Sequence, residues 1–239
     1  MPTQANAGKP AKGGNPATPC LVFELETVAF NGGQVMYEIL ANLFKARDFK
    51  LTPELFTRFG LARPAPRTIN RMLSALELNK TGVEALSAEI AQQFPRKLAQ
   101  TKPVPAVLKL LNEAARQSIP LGAIIACPAP QAQDLLKLLA VKSEITLLSL
   151  PSANGNGRPR ADTWVKLAHQ MQAVPAQCVA LTNCAPSTRA AIVAGMHAVA
   201  IPDTYSAYQD FGGADMVFEK PAELPLAEIV ALAAPVARN

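Results

Sequence analysis

The spacing of apolar residues changes near residue 104. Beyond it, short apolar runs alternate with stretches of helical period. The runs predict strands at 121–126, 145–150, 178–181, 198–201 and 216–218, and the stretches between them predict helices at 104–117, 129–140, 161–171, 187–194 and 226–233. Apolar strands separated by helices of this length are typical of an α/β fold with a parallel sheet covered on both faces.

The first hundred residues contain one predicted strand, at 21–25, which is followed by the turn signal Asn31-Gly32-Gly33. From there to about residue 100 the periodicity is helical, with helices around 35–44, from Thr52 onward, and at 66–78 and 81–98. We therefore predict an α/β core formed by residues 20–32 and 103–239, an inserted helical cap at 33–102, and a flexible tail at 1–19.

Two acids lie at the tip of the first predicted strand, Glu24 and Glu26. If the strand runs through Leu25, their carboxylates point the same way, and burying them together is costly unless a cation lies between them. Sites in parallel sheets lie beyond the carboxyl ends of the strands. The other polar or charged residues expected at those ends are Cys127, Arg158, Thr182 and Asn183, so we predict that all six converge on one crevice.

Composition excludes several classes of function. The net charge is +5, there is no run of Lys or Arg, and the chain has one tryptophan and three tyrosines, so we expect no nucleic-acid partner. No apolar run is long enough to cross a bilayer, and residues 1–19 lack the apolar segment of a secretory signal, so we expect a cytoplasmic protein without membrane association. Four cysteines without CxxC spacing predict free thiols and no zinc site: Cys20, Cys127, Cys178 and Cys184.

This order of parts resembles the haloacid dehalogenase-like (HAD) superfamily, in its β-phosphoglucomutase and phosphoglycolate phosphatase branch. Val-Phe-Glu-Leu-Glu-Thr-Val at 22–28 lies where that family has a strand ending in Asp-x-Asp-Gly-Thr. The segments 124–127, 157–164, 178–183 and 190–196 resemble its later motifs. The resemblance implies a Rossmann-like sheet with a helical cap, and Mg²⁺-dependent phosphoryl transfer from phosphate esters.

The chain differs from the family pattern at each position that carries chemistry. Glu24 stands where the family has its nucleophilic aspartate, and its extra methylene moves the carboxylate by about an ångström, which can cost on the order of 100-fold in a preorganised site. Glu26 stands at the position of the family's general acid/base. The other replacements are Thr27 for a glycine, Cys127 for a phosphate-binding hydroxyl, Arg158 for a lysine, and Thr182 and Asn183 for magnesium-binding acids.

These differences predict a protein impaired as a phosphatase, a pseudoenzyme that acts by binding or assembly and needs no cofactor. The alternative is a Mg²⁺-dependent phosphomonoester hydrolase or phosphomutase with Glu24 as nucleophile and Glu26 as acid/base. Glu24, Glu26 and Asn183 would then hold the metal. In either case we expect a small phosphorylated ligand or a protein partner, with Thr27, Cys127, Arg158, Arg63 and Arg67 as candidate binding residues.

Each candidate also has a purely structural interpretation. Glu24 and Glu26 would be solvated residues at a strand end, balanced by Arg158 and Arg160 in an ion cluster. Some family members hold a second phosphate with a cap arginine near Arg63 and Arg67, but a surface loop would carry the same residues. Cys127 would be a small buried thiol.

Overall fold

The strand β1 (Cys20–Glu24) lies inside a parallel sheet and is buried along its whole length, which explains its continuous apolar sequence. The computed structural model describes residues 18–59, 66–78, 82–150, 158–219 and 222–234. In these residues the sheet has the order β3-β2-β1-β4-β5-β6, and every neighbouring pair is parallel. The other strands are β2 (Leu121–Ile125), β3 (Ile145–Ser149), β4 (Cys178–Thr182), β5 (His197–Ala200) and β6 (Met216–Val217). The predicted α/β fold with a Rossmann-like parallel sheet is confirmed.

Helices connect the strands as the periodicity predicted. Between β1 and β2 lie α1 (Gly32–Lys45), α2 (Pro53–Phe59), α3 (Pro66–Ala75), α4 (Val83–Leu98) and α5 (Pro105–Arg116). The later helices are α6 (Ala129–Leu139), α7 (Ala161–Gln170), α8 (Ala185–Val193) and α9 (Leu226–Ala231). Helix α4 packs against both α1 and α3. Helices α1 to α4 occupy the segment predicted as a cap. The division into core and cap stays a prediction. Most of the predicted tail lies outside the described residues.

Apolar layers cover both faces of the sheet. Successive residues of a strand point to opposite faces, so Phe23 joins the layer that contains Leu110 and Leu111 of α5, while Val22 joins the layer around Trp164 of α7. Trp164 is fully buried, so it is a core residue. All four cysteines lie in the described residues, where they are buried and form no disulfide bond, as the sequence predicted. Within the described ranges, no helix is long and apolar enough to cross a membrane.

The segment between β1 and α1 differs from the prediction. The strand ends at Glu24, and Leu25–Ala29 form a turn of π-helix, so the alternation expected through Leu25 does not reach Glu26. Helix α1 then begins at Gly32, within the glycine pair that predicted a turn.

Helix α1 begins with two glycines because neighbouring atoms leave no room for a side chain at either position. A Cβ atom at Gly32 would lie 2.4 Å from the backbone oxygen of Glu26, and one at Gly33 would lie 2.2 Å from Oδ2 of Asp203. The glycines therefore allow the start of the helix to pack directly against the residues at the end of the sheet.

Candidate functional site

A cavity of about 170 Å³ lies at the carboxyl ends of the strands, between the sheet and helices α1, α2 and α4. Residues at or just beyond the carboxyl ends of β1 to β5 line it, because parallel strands all finish at this edge. The residues predicted from sequence that line it are Glu24, Glu26, Thr27, Cys127, Arg158 and Asn183. Thr182 does not line it: its hydroxyl is fully buried and lies 2.7 Å from the Thr188 hydroxyl.

Glu24 is buried, with 8% of its surface exposed. Its Oε1 accepts a hydrogen bond of 2.6 Å from the hydroxyl of Ser187 in the first turn of α8. Burial raises the pKa of Glu24 to about 7, because the cost of desolvating the charge exceeds the opposing effects of the Ser187 hydrogen bond and the Arg158 charge. The interpretation of Glu24 as a solvated strand-end residue is therefore wrong.

Glu26 is also buried, with 3% of its surface exposed. Its Oε1 accepts hydrogen bonds of 2.7 Å from the backbone N–H groups of both Ala126 and Cys127, just beyond β2. The two carboxyl groups thus share a cavity but bond in different directions, Glu24 toward α8 and Glu26 toward β2. The expectation that they point the same way fails because the backbone leaves the extended conformation at Leu25.

Arg158 lies at the same cavity without forming the predicted ion cluster. In the described part of the chain, no carboxylate oxygen lies within 4.0 Å of its nitrogens, and its charge still lowers the pKa of Glu24. The Nε atom of Arg158 and the Oγ1 atom of Thr27 are buried and have no hydrogen-bond partner among the described residues. Arg160 is exposed and pairs with Asp162 at 3.8 Å, so the cluster prediction is wrong for Arg160.

Asp203 is a member of the site that the sequence analysis missed. Its Oδ2 accepts a hydrogen bond of 3.4 Å from the Asn183 side chain, and its Oδ1 accepts hydrogen bonds from the Tyr205 N–H (2.8 Å) and the Ser206 hydroxyl (3.0 Å). Burial raises its pKa. Asp203 lies three residues beyond β5, so its position after a strand was a usable signal, whereas nothing local in the sequence marks Ser187 as a partner of Glu24.

Magnesium takes a near-octahedral set of oxygen ligands, usually including one or two carboxylates. Glu24, Glu26 and Asn183 all line the cavity, and their role as a magnesium-binding set stays a prediction. Both glutamates already accept hydrogen bonds through one oxygen, and the Asn183 amide turns its N–H₂ toward Asp203. No group of three or more His, Cys, Asp or Glu side chains in the described ranges could hold a metal ion.

Some of the remaining candidate residues line the cavity, and others lie outside the described residues. Cys127 and Cys184 both line the cavity, and burial raises the pKa of Cys184 to about 11, so that thiol stays protonated and unreactive at neutral pH. Met36 of α1, Phe56 of α2 and Phe94 of α4 supply apolar walls that the sequence analysis did not single out. Arg63 and the side chain of Arg67 lie outside the described residues, so their binding roles stay predictions.

One curated protein similar in sequence is the beta-phosphoglucomutase of Bacillus subtilis (strain 168). It is 26% identical to this chain over 135 residues, which are 56% of this chain and 57% of that protein. The matched region therefore spans little more than half of the relative's length. No family model matches the chain.

Solved structures are similar over nearly the whole chain. Beta-phosphoglucomutase from Clostridium difficile has a TM-score of 0.71 at 14% identity and covers 90% of this chain and 97% of its own. CbbY from Rhodobacter sphaeroides in complex with phosphate has a TM-score of 0.69 at 17% identity, with 84% and 93% covered. A HAD hydrolase of family IA, variant 3, from Entamoeba histolytica has a TM-score of 0.71 at 14% identity, with 90% and 99% covered. The chain thus has the fold of the HAD-like superfamily, and the predicted resemblance to its β-phosphoglucomutase and phosphatase branch is confirmed.

Proposed function

We propose that this protein binds a small ligand in its strand-end cavity and does not carry out metal-dependent phosphoryl transfer. The observation that carries the proposal is the state of Glu24, the residue at the position of the family's nucleophile. Its carboxyl is buried, its pKa is raised to about 7, and one of its oxygens accepts the Ser187 hydrogen bond. The protonated fraction of such a carboxyl does not attack phosphorus, and the Ser187 hydrogen bond withdraws charge from the ionised fraction.

The acids around Glu24 support the same proposal. Phosphoryl transfer depends on positive charge, normally metal ions, that neutralises the charge developing on the phosphoryl oxygens. Glu26 is held by two backbone N–H groups, and the side chain that replaces a metal-binding acid, Asn183, is an amide. We therefore expect this chain to function without a metal cofactor, and we keep the cytoplasm as its predicted location.

Ligand binding is supported by what the cavity leaves unsatisfied. Buried polar groups are normally hydrogen-bonded, and each exception needs an explanation. The described residues include three such exceptions, on Thr27, Arg158 and Trp164, and the first two of these residues line one cavity with largely apolar walls. A concave apolar pocket with a few convergent polar groups is the usual form of a small-molecule site.

A second candidate is a phosphomonoester hydrolase or phosphomutase, and it is favoured by the similarity to beta-phosphoglucomutase and to the phosphate-bound CbbY. In that reaction Glu24 would attack phosphorus and Glu26 would move the proton of the leaving group or of water. Both carboxyl groups accept these hydrogen bonds through Oε1, so Oε2 of each would be the reacting oxygen.

Turnover of p-nitrophenyl phosphate separates the two candidates. The purified protein and the variant Glu24→Ala are assayed side by side with Mg²⁺ and with a chelator. We expect equal, background rates for both proteins under both conditions. Mg²⁺-dependent turnover that the substitution removes would establish the second candidate instead.

A further inference from the structure

We propose that Cys20 and Cys178 form an oxidative modification site, at which a peroxide joins the two thiols in a disulfide bond. The site lies at the amino edge of the sheet, because these cysteines are the first residues of β1 and β4. The cavity lies at the opposite, carboxyl edge and is lined by the other two cysteines, Cys127 and Cys184.

The backbone places the two cysteines directly opposite each other. Strands β1 and β4 are parallel neighbours, and their register pairs Cys20 with Cys178. Neighbouring strands lie about 4.7–4.9 Å apart, which is within the range of about 4.4–6.8 Å that separates the Cα atoms of disulfides. Both side chains belong to the apolar layer around Trp164, so they point to the same face of the sheet. Spacing and side-chain direction therefore both allow the bond.

The two thiols also interact with each other. A hydrogen bond between the side chains stabilises the thiolate of Cys20, which lowers the pKa of Cys20 and raises that of Cys178. The thiolate is the form of cysteine that reacts with oxidants. Cys20 is therefore the attacking residue, and Cys178 is the resolving residue beside it.

Both sulfur atoms lie close to the protein surface. Sγ of Cys20 is 3.7 Å from the carbonyl oxygen of Thr18, and Sγ of Cys178 is 3.6 Å from that of Val174. Thr18 is half-buried, and 56% of the surface of Val174 is exposed. Local opening of these two segments, which precede the strands, is therefore enough to admit a small oxidant to the buried thiols.

The oxidation proceeds in two steps. The Cys20 thiolate attacks one oxygen of hydrogen peroxide, the O–O bond breaks, and the released hydroxide takes up the proton that Cys20 lost, which gives water and a sulfenic acid. The Cys178 sulfur then attacks the sulfenic sulfur, the S–O bond breaks, and the hydroxide leaves with the Cys178 proton as a second water. The two sulfurs together lose two electrons, and the peroxide accepts them.

Peptide mapping of the wild type tests the bond directly. The reduced protein is treated with hydrogen peroxide, its remaining thiols are alkylated, and it is digested without a reducing agent. We expect the loss of two of the four thiols and a pair of peptides linked through Cys20 and Cys178, which dithiothreitol separates. A link between Cys127 and Cys184 instead, or the absence of any link, would overturn the proposal.

Three variants test the roles of the two cysteines. In Cys178→Ala, Cys20 should still react with peroxide and stop at a sulfenic acid, which dimedone traps. In Cys20→Ala, thiol loss at Cys178 should be slower by about tenfold or more, because the attacking thiolate is gone. The double variant Cys127→Ser, Cys184→Ser keeps the pair and should form the link at the wild-type rate. Equal rates of thiol loss in the two alanine variants would overturn the assignment of Cys20 as the attacking residue.

The bond also has an expected effect on unfolding. It would close the long segment between β1 and β4 into a loop, which restricts the unfolded chain. We expect the oxidised wild type to unfold at a higher urea concentration than the same protein after dithiothreitol. Peroxide-treated Cys178→Ala is the control for other oxidised side chains and should show no such difference. An unchanged midpoint in the wild type would overturn the stabilising effect of the bond.

Discussion

The Glu24 carboxyl lies buried at the end of β1, and burial raises its pKa from 4.5 to about 7. The folded chain therefore holds this proton more tightly than the unfolded chain does. Between pH 4.5 and pH 7 the folded state binds more protons at Glu24 than the unfolded state does. The contribution of Glu24 to the free energy of unfolding therefore falls as the pH rises through this range and then levels off. A pKa shift of this size corresponds to a loss of unfolding free energy on the order of 3 kcal/mol across this pH range.

We expect Glu24→Gln to remove this pH dependence. The stability of the wild type relative to the variant should fall between pH 4.5 and pH 7.5, as measured by urea unfolding at a series of pH values. Glu144→Gln removes an exposed carboxyl and serves as the control, whose unfolding profile should follow that of the wild type. Parallel profiles for the wild type and Glu24→Gln would show that Glu24 titrates alike in the folded and unfolded chains.

At the scale of the elements, the start of α1 is fitted to the sheet edge by its two glycines. Gly33→Ala would place a Cβ against the Asp203 carboxylate, which is held by several hydrogen bonds, and we expect a loss of about 1–3 kcal/mol from overpacking. Asp203→Ala removes the obstructing group. Adding Gly33→Ala to Asp203→Ala should therefore cost much less than adding it to the wild type, as measured by chemical denaturation of all four chains.

Gly32→Ala provides the matched control for that cycle. Its Cβ would meet the backbone oxygen of Glu26, which Asp203→Ala does not move, so its cost should be the same in both backgrounds. Equal coupling for the two glycines would mean that Asp203 does not contact the helix start as described.

The loop after β5 is joined to the first two helices by an aromatic cluster of Tyr37, Phe56 and Tyr205. The Tyr205 ring lies 4.9 Å from Phe56 and 5.3 Å from Tyr37 between centroids, and its hydroxyl donates to Gln34 at 2.8 Å. Tyr205→Phe should cost about 1 kcal/mol of unfolding free energy and Tyr205→Ala about 3–5 kcal/mol. Chemical denaturation of the wild type and both variants measures these losses. Similar losses for the two variants would mean that the ring contacts do not contribute to the stability of the fold.

The same elements show what a sequence can predict. Continuous apolar runs identified the strands to within a residue or two, because strands buried on both faces need apolar residues at every position. The end of β1 was mispredicted, since it depends on Glu26 bonding to N–H groups 100 and 101 residues further along the chain. The start of α1 depends in the same way on the contact between Gly33 and Asp203.

At the scale of the whole molecule, the parallel sheet explains why the site residues come from distant parts of the chain. The convergence of Glu24, Cys127, Arg158 and Asn183 was predictable because parallel strands end at one edge. The hydrogen bond between Glu24 and Ser187 joins residues 163 positions apart and has no local signature. The fold and the location of the cavity could thus be predicted, whereas the protonation and bonding of its acids required the structure.

Restoring the family's residues should restore chemistry if the scaffold retains the geometry of its relatives. We expect the combined variant Glu24→Asp, Glu26→Asp, Thr27→Gly, Arg158→Lys and Asn183→Asp to gain Mg²⁺-dependent phosphatase activity of about tenfold or more over the wild type. Circular dichroism and thermal unfolding establish that the variant is folded.

The most direct test of the account is the rate of Mg²⁺-dependent p-nitrophenyl phosphate hydrolysis by the wild type, compared with Glu24→Ala and with this combined variant. The account predicts that the wild type and Glu24→Ala have the same background rate and that only the combined variant exceeds it. A wild-type rate well above that of Glu24→Ala would contradict the account and identify Glu24 as a working nucleophile.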